Sequence, residues 1–213
     1  MRTVLLHDLG DPLAGAGWRS VAPVEWIVPD LPGHGAAPAP RTGHYDPMAA
    51  VALARWAIGE DTHARLIGVG GNAHSALVHA AGGGCGGGAV IVDGLWGPWR
   101  TSEEEIDVLH ATLRAIVADR DATGPPPMTG LDRRTSYGYG VMSSAPFSQR
   151  FWGVIHQPVL AIETPASTTP PREREERLSW FAGPATLVEL SEGAPSRVVA
   201  AITDWHPAEA PPG

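Results

Sequence analysis

The sequence predicts a single α/β domain with a mostly parallel sheet of about six strands flanked by helices. Its 213 residues are 43% hydrophobic, which is enough for one core and too short for two ordinary domains. Short apolar runs without period-two alternation recur along the chain, as expected for strands covered on both faces. Helix-like stretches separate several of these runs, and this alternation is typical of the α/β class.

The candidate strands are short and rich in apolar, β-branched residues. They are Thr3–His7, Glu25–Val28, Ala64–Val69, Ala89–Asp93, Val159–Glu163 and Thr186–Leu190. The candidate helices have apolar residues at helical spacing or a small-residue composition suited to packing on a sheet. They are Pro47–Gly59, with Asp46 as its N-cap, Asn72–Ala81, Ser102–Asp119 and Ser196–Trp205.

The chain is therefore expected to form one domain over residues 1–213, with a reduced cap or lid inserted at about 97–152. The cap prediction rests on the loop-rich sequence between Thr123 and Ser148, which contains Pro and Gly-Tyr runs.

Composition excludes several classes of function. The net charge of −8 argues against a nucleic-acid surface, and no apolar run is long enough to cross a membrane. All basic residues are Arg, so Schiff-base chemistry and a P-loop lysine are excluded. Neither a metal-ligand cluster nor a dinucleotide fingerprint in its proper context is present, so no metal and no cofactor is expected. With no signal-peptide pattern and one cysteine, Cys85, a cytoplasmic location is predicted.

Three segments carry recognisable motifs in a consistent order. Leu5–Gly10 reads L-L-H-D-L-G, Val28–Gly35 reads V-P-D-L-P-G-H-G, and Leu66–His74 reads L-I-G-V-G-G-N-A-H. The first is similar to the L-L-H-G-x-G oxyanion loop of α/β-hydrolases, and the second matches that family's P-D-L-P-G-H-G turn almost letter for letter. The third falls at the place of the nucleophile elbow. The chain thus resembles the α/β-hydrolase-fold superfamily.

The elbow departs from the family pattern G-x-S-x-G. With Gly68 aligned to the first glycine, Gly70 takes the serine position and Asn72 takes the last glycine position. A glycine offers no nucleophilic atom, so this alignment predicts a protein without the serine nucleophile.

The other two triad positions also differ. The acid of the family follows the strand that corresponds to Val159–Glu163, but residues 164–167 hold no carboxylate. The histidine of the family follows the last strand, but residues 191–196 hold no histidine. The resemblance therefore implies an atypical member that lacks the Ser–acid–His triad.

Ligands of open parallel sheets bind at the carboxyl ends of the strands, and four side chains there are catalytic candidates. These are Asp8, His7, His74 and Glu163. Asp8 replaces a glycine of the oxyanion loop, where its carboxylate either repels an oxyanion or serves as a base. His7 alternatively bonds loop backbone, and Glu163 is the carboxylate nearest the usual acid position.

The oxyanion and ligand-binding candidates are Leu9, Gly70, Gly71, Asn72, Trp96 and Trp99. The backbone N–H groups of Leu9 and Gly71 correspond to the oxyanion-hole donors of the family, and such donors need no particular side chain. Asn72 alternatively caps the helix that follows it. Trp96 and Trp99 follow a strand end, where they either line an aromatic pocket or pack in the cap.

Three functions follow. The first is a non-hydrolytic enzyme of specialised metabolism, such as an isomerase of natural-product biosynthesis, that binds a small carbonyl- or carboxylate-containing molecule without a serine nucleophile. The second is a catalytically dead protein that binds a small molecule or peptide. The third is an esterase-like hydrolase that uses another nucleophile, such as Ser75. The expected partner is a small-molecule or peptide substrate, and the sequence leaves the oligomeric state open.

Overall fold

The computed structural model of the chain describes residues 1–8, 13–38, 47–95 and 152–207. The predicted helix Ser102–Asp119 lies outside these residues, and so does the predicted cap at about 97–152, apart from Trp152.

In the part of the chain that the structure describes, the sheet contains five parallel strands whose order in space is their order along the chain. They are β1 (Thr3–Leu6), β2 (Arg65–Val69), β3 (Ala89–Val92), β4 (Val159–Glu163) and β5 (Ala185–Glu189). Each lies within a residue or two of a predicted strand. The predicted fold class, a mostly parallel sheet flanked by helices, is confirmed.

The sixth predicted strand, Glu25–Val28, is wrong as a full strand, because only Ile27 pairs with β1 there. The N–H of Leu5 donates to the Ile27 carbonyl oxygen (2.9 Å), and the Ile27 N–H donates to the Thr3 carbonyl oxygen (2.9 Å). The Val28 carbonyl oxygen accepts a bond from Arg19 instead (3.0 Å), and the next residue is a proline without an N–H. The ladder therefore stops after one residue.

Among the described residues, five helices flank the sheet, together with a 3₁₀ turn at Gly70–Asn72. They are α1 (Ala14–Arg19), α2 (Pro47–Ile58), α3 (Ala73–Ala81), α4 (Pro171–Leu178) and α5 (Pro195–Asp204). The sequence pattern predicts α2, α3 and α5 to within about two residues at each end. It misses α1, which is six residues long with two glycines, and α4, which is highly charged and has no buried residue from which an apolar period could arise.

The core has two halves because alternate residues of each strand face opposite sides of the sheet. Val4 and Leu6 of β1 belong to the half that contains α2 and α3, whereas Leu5 belongs to the half that contains α5. Every residue of β1, β2, β3 and β4 is buried, which explains why these strands read as largely apolar runs, whereas no residue of β5 is buried. Within the described part of the chain, no helix has the length and apolarity of a membrane span.

Candidate functional site

The candidate site lies where the strand order reverses. The chain passes from β1 to the Ile27 bridge on one side of β1, and later returns to place β2 on the other side. Such a switch point opens a crevice at the carboxyl ends of the two strands, where open α/β sheets bind their ligands. Here Asp8 follows the end of β1 and Gly70 follows the end of β2.

The connection from β2 into α3 is a sharp strand-to-helix turn. Gly70 has φ +53°, a left-handed conformation that glycine adopts without strain. A Cβ on Gly68 would overlap the carbonyl oxygen of Asn72, so the strand and the start of the helix approach too closely for any side chain there. The two glycines are thus required by the tightness of the turn.

The carboxylate of Asp8 lies in the space that a side chain at position 70 would fill. A Cβ on Gly70 would overlap Oδ1 of Asp8. The same oxygen accepts a hydrogen bond from the N–H of Gly71 (3.3 Å), and Asp8 is exposed to solvent. A carboxylate from the β1 loop therefore takes the place of the side chain that the turn itself lacks.

A buried hydrogen-bond network fixes the backbone on both sides of Asp8. The amide Nδ2 of Asn72 donates to the carbonyl oxygen of His7 (2.8 Å), and the hydroxyl of Ser75 donates to Oδ1 of Asn72 (3.2 Å). Nδ1 of His7 lies 2.8 Å from the carbonyl oxygen of Asp8 and must donate, because a carbonyl only accepts. His7, Asn72 and Ser75 are fully buried, so this network lies beneath the crevice.

His7 is a neutral residue of this network. Burial is the main reason that its pKa is lowered to about 4, although its bond to the Asp8 carbonyl acts in the opposite direction. Its ring packs edge-on against His34, with 4.9 Å between the ring centroids. His7 therefore holds the Asp8 peptide in place, and its ring is closed off from solvent.

The V-P-D-L-P-G-H-G turn supports this arrangement from behind. Asp30 accepts the Ala36 N–H (3.0 Å) and a bond from Arg19 (2.7 Å), and the Ala36 bond is the main cause of its lowered pKa. Gly35 has φ +52°, and a Cβ there would overlap the Asp30 carboxylate. The turn thereby places the fully buried ring of His34 against His7.

Glu163 does not join Asp8. It ends β4, and with strands about 5 Å apart, β4 lies roughly 15 Å from β1 across the sheet. Its carboxylate is fully buried and accepts the Leu95 N–H (3.2 Å) and the Ser167 hydroxyl, while Arg174 lies 3.8 Å away. Burial raises its pKa. Both oxygens of Glu163 thus bind groups of the protein itself.

Asp93 is a polar residue of this sheet edge that is absent from the sequence-predicted site. It follows β3 with φ +52°, an uncommon conformation for a residue other than glycine. One of its oxygens accepts the Thr164 N–H (2.7 Å), and the other accepts the Thr164 hydroxyl (2.8 Å). The sequence feature that could have pointed to Asp93 is an Asp-Gly pair directly after a predicted strand, a pattern typical of turns. Asp93 ties the loop after β4 to the end of β3.

Several solved structures resemble this chain. They include a thermophilic esterase from Thermogutta terrifontis (TM-score 0.69, 18% identity, covering 96% of this chain and 89% of that chain). The thioesterase domain from the curacin biosynthetic pathway gives a TM-score of 0.69 at 17% identity, with 94% and 88% covered. The enol-lactonase from Burkholderia xenovorans LB400 gives 0.61 at 19%, with 95% and 87% covered. The chain has the α/β-hydrolase fold. No family model and no curated protein matches its sequence.

In the α/β-hydrolase fold, the strand-to-helix turn is the nucleophile elbow, and the N–H after the nucleophile is an oxyanion donor. In this chain that turn holds Gly70, and the N–H of Gly71 binds Asp8. Leu9, which is predicted to supply a second donor, lies outside the described residues, as do Trp96 and Trp99.

Ser75 is not exposed at the elbow of this α/β-hydrolase fold. It is fully buried on the first turn of α3, and its hydroxyl is bonded to Asn72. The alternative that Asn72 caps α3 is wrong, because its side chain makes no capping bond and instead bridges His7 and Ser75. His74 is partly buried on the same turn, and burial lowers its pKa to about 4, so it is neutral near pH 7.

Cys85 lies away from the elbow, on the loop before β3. It is buried, and burial raises its pKa to about 12, so its thiol is unreactive near pH 7. Among the residues that the structure describes, no group of three or more His, Cys, Asp or Glu side chains is arranged to hold a metal ion.

Proposed function

We propose that this chain uses the α/β-hydrolase fold without a serine nucleophile, with Asp8 as its general base. It binds a small carbonyl- or carboxylate-containing molecule in the crevice between β1 and β2. There it catalyses a non-hydrolytic step of specialised metabolism, such as an epimerisation, isomerisation or cyclisation. The observation that carries this proposal is the Asp8 carboxylate, which fills the side-chain space beside Gly70 and contacts the Gly71 N–H.

In the proposed step, a carboxylate oxygen of Asp8 takes a proton from the carbon next to the substrate carbonyl. The electron pair of the broken C–H bond forms a C=C bond, and the carbonyl π pair moves onto oxygen to give an enolate. The neutral carboxyl group of Asp8 then returns the proton. Return to the other face of the same carbon, after the enolate turns over in the crevice, is an epimerisation, and return to a carbon conjugated with the enolate is an isomerisation.

The enolate oxygen requires a hydrogen-bond donor, and the N–H of Gly71 is a donor that lies beside Asp8 (3.3 Å from its Oδ1). Because this N–H lies in the 3₁₀ turn that leads directly into α3, the dipole of that helix also favours negative charge there. A base and a backbone donor side by side are the two groups that enolate formation needs.

Asp8 is favoured over the other candidates because its carboxylate is both exposed and rigidly supported. The network of Asn72 and His7 holds the peptide groups that flank it, as a catalytic base needs. By contrast, His7 is buried with Nδ1 already bonded, and both oxygens of Glu163 are bound internally. A role for His74 in the site stays a prediction.

One observation favours a second candidate, a binding protein without turnover. The Gly71 N–H already donates to Asp8, so the donor that would stabilise a reacting oxyanion is occupied in this structure. A hydrolase that uses Ser75 has less support, because that hydroxyl is buried and bonded to Asn72.

The test is exchange of carbon-bound hydrogen with solvent. Simple ketones and thioesters are incubated in D₂O with the wild-type protein, with Asp8→Asn and with Glu192→Gln, and deuterium uptake is followed by NMR. Glu192 is an exposed carboxylate in the loop after β5, so its variant loses the same charge elsewhere. Uptake with wild type and Glu192→Gln but not with Asp8→Asn supports the proposal. Binding of these compounds without uptake by wild type would favour the passive binder.

A further inference from the structure

We infer that Asp8 determines the ligand specificity of the crevice. Its carboxylate accepts the hydrogen bond of the Gly71 N–H, and the crevice therefore binds ligands with an uncharged carbonyl group in preference to ligands with an anionic group. This inference narrows the substrate class of the proposed function and rests on it for the catalytic consequence. The contact of the Asp8 carboxylate with the Gly71 N–H is an observation of the structure and does not depend on the proposed function.

The carboxylate acts as a built-in ligand of the turn. Oδ1 of Asp8 accepts a hydrogen bond from the Gly71 N–H (3.3 Å) and would overlap a Cβ on Gly70. One oxygen therefore occupies both the hydrogen-bonding position at Gly71 and the side-chain space of position 70. A glycine at position 8, as in the L-L-H-G-x-G loop, has no atom that reaches either place. The aspartate is therefore the residue that separates this crevice from an open one.

Buried side chains fix the backbone that carries the Asp8 carboxylate. Asn72 bonds the carbonyl of His7, and His7 bonds the carbonyl of Asp8, so the backbone on each side of the carboxylate is fixed. Removing the carboxylate from Gly71 thus requires rotation of its own side chain or loss of its charge. A movement of the loop is opposed by both of these bonds.

An anionic ligand group at the Gly71 N–H would lie within about 3 Å of the Asp8 oxygen, a contact between like charges that is strongly unfavourable unless one group takes up a proton. A neutral carbonyl oxygen meets no such repulsion. The distinction therefore depends on the charge of the ligand group that approaches the donor.

In the proposed reaction, the hydrogen bond of the Gly71 N–H changes its acceptor from Asp8 to the substrate oxygen. When Asp8 takes the substrate proton, its oxygen loses its negative charge and becomes a weaker acceptor. At the same moment the substrate oxygen becomes negative, so the Gly71 N–H passes to the enolate. Proton uptake and oxyanion binding then occur together.

The experiment measures binding of acetate and of its uncharged analogue acetamide by titration, followed at the Gly71 amide in ¹H–¹⁵N spectra. The proteins are wild type, Asp8→Gly, Asp8→Asn as a second variant in case the glycine variant does not fold, and Glu192→Gln as the charge-matched control. We expect acetate to bind Asp8→Gly about tenfold more tightly than wild type, the size of a favourable anion contact at a helix start. Asp8→Asn should gain less, because its amide oxygen still reaches Gly71. Acetamide should gain less than acetate in Asp8→Gly, because it also competes with the Asp8 oxygen for the Gly71 N–H but meets no charge repulsion.

An equal acetate response at Gly71 in wild type and both Asp8 variants would overturn the inference, as would an equal gain in Glu192→Gln. These outcomes are separate from the deuterium-exchange test. A gain of acetate binding in Asp8→Gly without any exchange by wild type would retain the inference on specificity and reject the proposed catalysis. Deuterium exchange by wild type without a gain of acetate binding in Asp8→Gly would support the proposed catalysis and reject the inference on specificity.

Discussion

Two regions at the carboxyl edge of the sheet hold acidic side chains whose oxygens are used differently. Beside β1 and β2, the Asp8 carboxylate is exposed, and a buried network supports its backbone. Beside β3 and β4, Glu163 is fully buried and Asp93 is tied to Thr164, so protein groups engage both oxygens of each. A carboxylate at the ligand-binding edge is therefore a candidate for chemistry only when its oxygens are accessible.

The largest expected effect on stability is at Glu163. In Glu163→Ala, the Leu95 N–H and the Ser167 hydroxyl lose their buried acceptor, and Arg174 loses a carboxylate 3.8 Å away. We expect a loss of about 4 kcal/mol in the free energy of unfolding. Urea denaturation of wild type and variant measures the loss. Glu189→Ala is the matched control: Glu189 also pairs with Arg174 but is exposed, so we expect a change below about 1 kcal/mol. Equal losses in the two variants would contradict a structural role for Glu163.

The support beneath Asp8 should be sensitive to acid. The pKa of His7 falls from 6.5 in the unfolded chain to about 4 in the folded one, so the unfolded state binds more protons between these values. Stability is then complete above pH 6.5 and declines as the pH falls towards 4, by about 3 kcal/mol from His7 alone. Partly buried His74, whose pKa is also about 4, adds a smaller loss in the same direction.

Denaturation curves at pH 7, 5.5 and 4 measure this decline. His7→Gln removes the buried titrating group and should flatten the profile, whereas His206→Gln, at an exposed position after α5, should not. A His7→Gln profile as steep as that of wild type would show that other groups cause the acid sensitivity.

A third and smaller effect is expected at Asn72. In Asn72→Ala, the His7 carbonyl and the Ser75 hydroxyl lose their buried partner, for a loss of about 2 kcal/mol in the free energy of unfolding. Ser75→Ala breaks only one of these bonds and should cost about 1 kcal/mol. If Asn72 also positions Asp8, Asn72→Ala lowers the rate of deuterium exchange more than Ser75→Ala does. Equal exchange rates would limit Asn72 to a role in stability.

The smallest effect on stability is expected at Asp8. Asp8→Asn keeps the size of an exposed side chain, so the free energy of unfolding should change by no more than about 0.5 kcal/mol. Thermal and urea denaturation check this. Loss of exchange at unchanged stability is the opposite of the behaviour expected at Glu163. A large destabilisation in Asp8→Asn would mean that Asp8 is structural as well.

The sequence predicts most of the sheet, because strands buried on both faces leave a strong local signal of apolar runs. It misses α4, whose surface face has no apolar period, and it extends the Ile27 bridge into a strand because the competing bond from Arg19 is not visible locally. For the site, the glycine-rich sequence after β2 predicts the position of the strand-to-helix turn at Gly70.

The direction of individual side chains does not follow from such motifs. Asn72 bonds a carbonyl 65 residues away rather than its own helix, and Leu95 binds Glu163 across 68 residues. The sequence predicts Asp8 as a candidate, but only the packing of β1 against β2 brings its carboxylate to Gly70.

The proposed function requires that the chain holds no activated serine, and a fluorophosphonate probe, which labels activated serines, checks this requirement. The native protein is incubated with the probe beside a positive-control esterase, and the intact mass of each is measured. We expect full labelling of the esterase and no adduct on this chain. A stoichiometric adduct that peptide mapping assigns to a serine, whether Ser75 or another, would contradict it.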